Sequence, residues 1–247
     1  MAGHLERWAM RWPRALLHGL LPCSCALCGD LAAQVVCGDC RSRYAAPRGL
    51  RCACCANPLG PGAGARQRCG ACLAAPPAFD ATLAAVDYAA PLDALVLGLK
   101  FGARLPLAPW FAEALHEAIL AQGGWTLPDV LCPVPLGPRR LVERGFNQAL
   151  EIARPLANAL GVKLQPRLAA RVLETAAQSG VSPRERAANI RGAFDVPSAT
   201  AHLVQGRHVG VVDDVMTSGH TLNELAATLK AAGAARVSNL VFARTLP

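Results

Sequence analysis

Val209 to Thr221 reads VGVVDDVMTSGHT. An apolar run is followed by two adjacent acids, then a loop of small hydroxylated residues and glycine. Gly210, Val211 and Val212 belong to a short β-rich run, as expected of a buried parallel strand. Ligands of open α/β sheets sit beyond the carboxyl ends of the strands, and Asp213 and Asp214 fall at that end. Two carboxylates there can accept hydrogen bonds from neighbouring sugar hydroxyls. Thr217, Ser218, Gly219, His220 and Thr221 offer hydroxyl donors and a glycine that lets backbone N–H groups approach closely, which suits a phosphate. Leu222, Leu225, Ala226 and Leu229 follow at i, i+3, i+4 and i+7, one face of a helix. Its N-terminus points at the phosphate and favours negative charge. Gly233 is a natural stop for that helix, and Arg236 to Ala243 reads as another strand.

Taken alone, the stretch also fits an ordinary strand–turn–helix unit with an acidic turn. Taken in order, strand, double acid, hydroxyl–Gly loop and helix resemble the signature of type I phosphoribosyltransferases, which bind 5-phosphoribosyl-1-pyrophosphate (PRPP). That resemblance implies a ribose held by Asp213 and Asp214, as the catalytic pair, and a 5′-phosphate held by residues 217–221. It also implies Mg²⁺ bridging the pyrophosphate oxygens.

The second signal is the cysteine pattern. Cys25-x-x-Cys28 and Cys37-x-x-Cys40 form one quartet, Cys52-x-x-Cys55 and Cys69-x-x-Cys72 another. Two residues between thiolates let both sulfurs reach one tetrahedral zinc, so two structural Zn²⁺ sites are expected. Gly29, Gly38 and Gly70 stand where tight knuckles would need them. A disulfide scaffold and a redox CxxC are the competing readings. The first is disfavoured by a poor secretory signal, since Arg14 and His18 break the hydrophobic region. The second is disfavoured by four pairs in succession. Cys23 and Cys54 are extra thiols that could substitute as ligands, while Cys132 reads as a small core residue.

The two signals in this order resemble the ComF family, whose members join a double zinc ribbon to a phosphoribosyltransferase-like domain. The resemblance extends to Leu99-Lys100-Phe101, to Val134-Pro135-Leu136 with Arg144-Gly145-Phe146-Asn147-Gln148, to Gln178, Arg186 and Asn189, and to Gly192-Ala193-Phe194. Ser218 stands where many relatives carry Thr, which keeps the hydroxyl. The resemblance implies a role in DNA uptake during natural transformation. The chain is then either a transferase acting on an unknown acceptor or a PRPP-responsive adaptor. The adaptor's zinc module would contact single-stranded DNA or a helicase-like competence protein. The aromatic content of 5% argues against a long base-stacking groove.

The expected fold class is α/β: a type I phosphoribosyltransferase-like parallel sheet flanked by helices, preceded by a small zinc-ribbon module. Residues 1–78 are assigned to an N-terminal helix and the double zinc ribbon, residues 79–247 to the transferase-like domain. Pro76-Pro77 marks the boundary. The first part is too rich in Cys, Gly and Pro to build a large core and needs metal as a staple. No segment is long and apolar enough to span a membrane, and the expected location is cytoplasmic. Residues 1–21 could dock on the domain, a partner or a membrane surface.

The net charge of +8 suggests nucleic acid, but residues 1–75 hold nine Arg against three acids. Eight thiolates on two Zn²⁺ would lower the total to about +4. Arg41, Arg43, Arg48, Arg51, Arg66 and Arg68 then form either a phosphate-contacting or a merely solvated surface.

Elsewhere, Asp80 to Tyr88 and Asp129 to Val134 read as strands, Leu92 to Leu99 and Leu105 to Ala121 as helices. Pro135 to Gly145 reads as a loop whose Arg139, Arg140 and Arg144 would meet pyrophosphate. Asn147 is a good helix N-cap, and Pro155 interrupts the helix that follows, so a kink is expected there. Arg171 to Asn189 resembles a hood loop, with Thr175, Gln178, Arg184 and Arg186 as candidate contacts.

Overall fold

The computed structural model describes residues 23–45, 49–60, 62–64, 67–173 and 190–246. The strands are β1 (Cys23–Ser24), β2 (Leu31–Ala32), β3 (Ala81–Asp87), β4 (Val130–Pro133), β5 (Lys163–Leu164), β6 (Ala170–Arg171), β7 (Phe194–Asp195), β8 (His208–Met216) and β9 (Arg236–Arg244). The helices are α1 (Gly38–Tyr44), α2 (Gly70–Ala74), α3 (Leu92–Phe101), α4 (Leu107–Gln122), α5 (Pro138–Arg144), α6 (Gln148–Leu160), α7 (Ser198–Ala201) and α8 (His220–Ala231).

Five strands form one parallel sheet in the order β3-β9-β8-β4-β5. The period-2 alternation of a strand sorts its side chains onto two faces. On one face Leu131, Val212, Leu240 and Phe242 pack against α3, α4 and α6 through Leu95, Leu99, Phe111 and Ile152. Phe111 and Phe242 stack with ring centroids 3.7 Å apart, and Trp110 meets both edge-on. On the other face Val209, Val211, Val237 and Val241 receive Leu222, Leu225, Ala226 and Leu229 of α8, the stripe expected from sequence. Gly210 is required by this packing, because a Cβ there would lie 2.6 Å from Pro128 Cγ.

The cysteine-rich segment lies along the free edge of β3. Cys25 and Cys40 join the core on the α4 side, and Cys52, Cys54, Cys55 and Cys72 join the core on the α8 side. Ala53 accepts a long bond from the Thr82 amide of β3 (3.4 Å). Arg51 reaches Asp87 at the end of the same strand (2.7 Å).

One expectation is corrected by the fold. Residues 135–145 are not all loop: residues 138–144 form α5. Pro138 at its first turn has a preset φ and needs no N–H partner, and Gly145 closes the helix in the left-handed region (φ 77°). Pro155 lies inside α6 without ending it. Asn147 caps α6 as expected, its Oδ1 accepting from the Ala149 and Leu150 amides.

Candidate functional site

After β4 the chain moves to β5 on one side, and after β8 it moves to β9 on the other. The carboxyl ends of β4 and β8 therefore flank a topological switch point, where an open α/β sheet leaves a crevice. A cleft of about 770 Å³ occupies that place. Val134, Pro135 and Leu136 form one wall, and Asp213, Asp214, Val215, Thr217 and Thr221 form the other. Lys100, Phe101, Arg140, Glu143, Arg144 and Arg171 also line it.

The acids fall within the last residues of β8, so the strand runs slightly further than the sequence suggests. Asp214 is 2% exposed, and its Oδ2 pairs with Lys100 Nζ at 2.8 Å. That contact is an ion pair only: Oδ2 accepts no aligned hydrogen bond among the described residues. Asp213 Oδ1 accepts from the Asp214 amide (2.9 Å). Burial first, and then the charge of Asp214, push the Asp213 carboxyl well above the usual carboxylate range, with Lys100 partly opposing them. The diacid is thus poised to take hydroxyl donors or a cation.

The loop leaves β8 at Thr217 and enters α8 through Gly219, whose φ of 83° is left-handed. A Cβ there would also meet Met216 Cε at 2.6 Å. Gly219 at the N-cap offers no side chain, and none caps the start of α8 among the described residues. Its first N–H groups are therefore open to an anion. Thr217 and Thr221 face the cleft, while Ser218 Oγ and His220 Nδ1 lie 3.1 Å apart beside it.

The helical form of α5 sorts the three arginines. Arg140 and Arg144, four apart, share the face toward the cleft. Arg139 is exposed and pairs with Glu143, which also lines the cleft (2.8 Å). Arg144 donates to Gln148 Oε1 (2.6 Å) and lies over the Phe101 ring at 5.3 Å. Burial lowers its pKa, and the two nearby aspartates oppose that shift. Arg171, on the β6 arm, also lines the cleft. Thr175, Gln178, Arg184 and Arg186 lie outside the described residues, as do Arg48, Arg66 and residues 1–21.

Three residues went unassigned by sequence reasoning. Lys100 had a signal, being one of three lysines in an arginine-rich chain. Arg171 lay at the border of the expected hood. Arg244, a buried charge closing an apolar strand, donates from Nη1 to the Met216 carbonyl (3.0 Å) and to the Thr217 carbonyl where the loop begins.

The cysteine quartets have the geometry of metal sites. Within each, the four sulfurs lie within 4.8 Å of one another. Cys28 and Cys37 sulfurs are 3.8 Å apart and Cys55 and Cys69 sulfurs 3.6 Å, close to the edge of a tetrahedron with bonds of about 2.3 Å. The two knuckles repeat one another. Gly29 and Ala56 amides close them onto the Cys25 and Cys52 carbonyls, each at 2.9 Å. The left-handed residue is Gly29 in the first and Ala56 in the second, while Gly38 and Gly70 open helices instead. Burial raises the Cys25 and Cys52 thiols, but backbone N–H donors outweigh it and bring them to about 6 and about 7, whereas their partners Cys28, Cys40, Cys55 and Cys72 are raised. Such donors suit metal-bound thiolates. Cys23 and Cys54 stand outside both groups. Cys132 is a core thiol that burial pushes up to about 12.

Sheet, switch-point cleft and acid–loop–helix unit define a phosphoribosyltransferase-type domain carrying a module of two four-cysteine sites of zinc type. The phosphoribosyl transferase domain family matches residues 147–245. DNA utilization protein YhgH of Salmonella typhimurium is 36% identical over 97% of this chain and 96% of its own. Competence protein F of Haemophilus influenzae is 32% identical over 68% of this chain and 74% of its own. The chain belongs to the ComF family. A glutamine PRPP amidotransferase from B. subtilis aligns with 54% of this chain and 26% of its own, at 21% identity and a TM-score of 0.34. Among the described residues no helix is long and apolar enough to cross a membrane.

Proposed function

We propose that the cleft binds PRPP with Mg²⁺ and that this binding serves DNA handling during competence. The observation that carries the reading is the meeting of Asp213 and Asp214 with Thr217 and Thr221 in one cleft at the switch point. Asp213 and Asp214 accept the ribose hydroxyls. The residue 217–221 loop and the start of α8 take the 5′-phosphate. Arg140 and Arg144 face the pyrophosphate, which Mg²⁺ neutralises when bound. If transfer occurs, the C1′–oxygen bond to pyrophosphate breaks and an acceptor's lone pair forms the new bond to C1′. The protein then acts by positioning and by charge, with no covalent step of its own.

The relatives named for DNA utilization and competence support a role in DNA handling, and in this reading the module's partner is single-stranded DNA or a helicase-like competence protein. The module's arginines are not all free for it. Arg41 is held by Glu113 and Glu117, and Arg51 by Asp87 and the Ala56 carbonyl. Zn²⁺ is the metal that fits four thiolates in each site.

Calorimetric titration of PRPP with Mg²⁺ into the zinc-loaded protein tests the reading, beside Asp213→Asn/Asp214→Asn. Saturable binding by the wild type, lost in the folded double variant, is expected. Equal binding by both would remove the diacid from the site, and no binding by a folded wild type would overturn the proposal.

A further inference from the structure

Arg244 is 6% exposed, yet it touches both specialised parts of the molecule. Its Nε donates to the carbonyl of Cys55, a member of the second quartet (3.0 Å). Its Nη1 donates to the carbonyls of Met216 (3.0 Å), Thr217 and Thr245 (2.7 Å). One rigid guanidinium therefore holds the second metal knuckle on one side and the root of the residue 217–221 loop on the other. In a trans peptide the C=O and the following N–H point in opposite directions. Fixing the Met216 and Thr217 carbonyls on Arg244 thus fixes the opposite aim of the Thr217 and Ser218 amides.

The first quartet has a different attachment. Its α1 residue Arg41 pairs with Glu113 (3.2 Å) and Glu117 on α4, on the other face of the sheet. It makes no such bridge to the loop among the described residues.

We propose that Arg244 is a positioning residue that couples metal occupancy of the Cys52–Cys55–Cys69–Cys72 site to ligand affinity at the residue 217–221 loop. The coupling rests on the PRPP reading above. With the metal in place, the Cys55 carbonyl anchors Nε, and the guanidinium holds the loop in its phosphate-binding shape. With the metal gone, the knuckle loosens and the anchor is lost. Coupling between two binding sites is reciprocal, so a ligand on the loop must also tighten the metal site.

The test follows zinc transfer from the full-length protein to a chromophoric chelator, with and without saturating PRPP and Mg²⁺. Cys28→Ser, which disables the first site, assigns the second site's release. PRPP is expected to slow that release at least about fivefold, the lower end of ordinary coupling, and to leave the first site's release unchanged. Arg244→Lys keeps a buried cation near the loop carbonyls but cannot fork to Cys55. It should release the second zinc at one rate whether PRPP is present or not. Calorimetry on the same samples separates the two ideas. PRPP that binds the wild type without slowing release, or slows both sites equally, overturns the coupling alone. Failure of the wild type to bind PRPP overturns the ligand reading and the coupling with it.

Discussion

Asp213 and Asp214 are adjacent acids with unequal partners. Asp214 has Lys100 at 2.8 Å, whereas Asp213 has burial and a like charge against it. A carboxyl whose folded pKa is raised binds more protons in the native than in the unfolded state. Its ionisation therefore lowers stability as pH rises from the unfolded pKa, about 3.9, through the raised folded value. Asp213→Asn removes that loss. The variant should be more stable than the wild type at pH 7, and the gain should vanish toward pH 4, read as denaturation midpoints across that range. A gain independent of pH would place its cause elsewhere. Lys100→Met should act in the opposite sense. It strands Asp214 in a site where only 2% of it is exposed, and breaking one side of a buried pair costs about 3 kcal/mol. Urea melts at pH 7 would check it, with Lys100→Met/Asp214→Asn expected to recover part of the loss.

At the scale of elements, the junction of β4, α5 and α6 depends on Asn147. It caps α6 through Oδ1, and its Nδ2 donates to the Val134 carbonyl at the cleft wall (3.0 Å). Asn147→Ala should cost about 1 kcal/mol for the cap, and somewhat more if the Val134 carbonyl is left unpaired. The same urea melts measure it, and a loss near zero would mean that water replaces both bonds. Elements with a strong local pattern were legible in the sequence. The β8–loop–α8 unit carries an apolar run, two acids, a glycine and a heptad-like stripe, and the cysteine quartets carry fixed spacing. Helix α5 was not legible, because PRRLVER has no apolar period and buries no residue. The difference matters for the site, since a helix places Arg140 and Arg144, four apart, together on the cleft. The second knuckle's left-handed residue was missed for a related reason: Ala56 adopts a backbone that glycine usually marks. Arg244 acts across a long sequence separation, where no spacing rule exists to read it, and Lys100 stood in a recognisable stretch whose partner, Asp214, the sequence did not name.

At the scale of the whole molecule, the cysteine module acts as an edge strip for the sheet. Among the described residues strand β3 pairs with β9 on one side only, and its other edge meets Ala53 and Arg51 of the module. Residues 81–86 of that strand are buried, so an uncovered edge would present an apolar template for pairing with another chain. The module has little core of its own, and its hold on the edge depends on what keeps the knuckles folded. Arg51 joins the second knuckle to that edge, with a bond to the Ala56 carbonyl inside the module (3.1 Å) and an ion pair to Asp87 at the end of β3 (2.7 Å). Removing metal with a chelator should therefore loosen the molecule from its edge inward. Hydrogen exchange followed by mass spectrometry should show β3 losing protection first. Strand β8, paired on both sides by β4 and β9, should keep its protection until global unfolding. Arg51→Ala should give the same order more weakly, with a loss of about 2 kcal/mol for its charged hydrogen bonds. Chelation that deprotects β3 and β8 together would mean that the metal sites support the whole sheet as one cooperative unit, and the edge-strip account would fail.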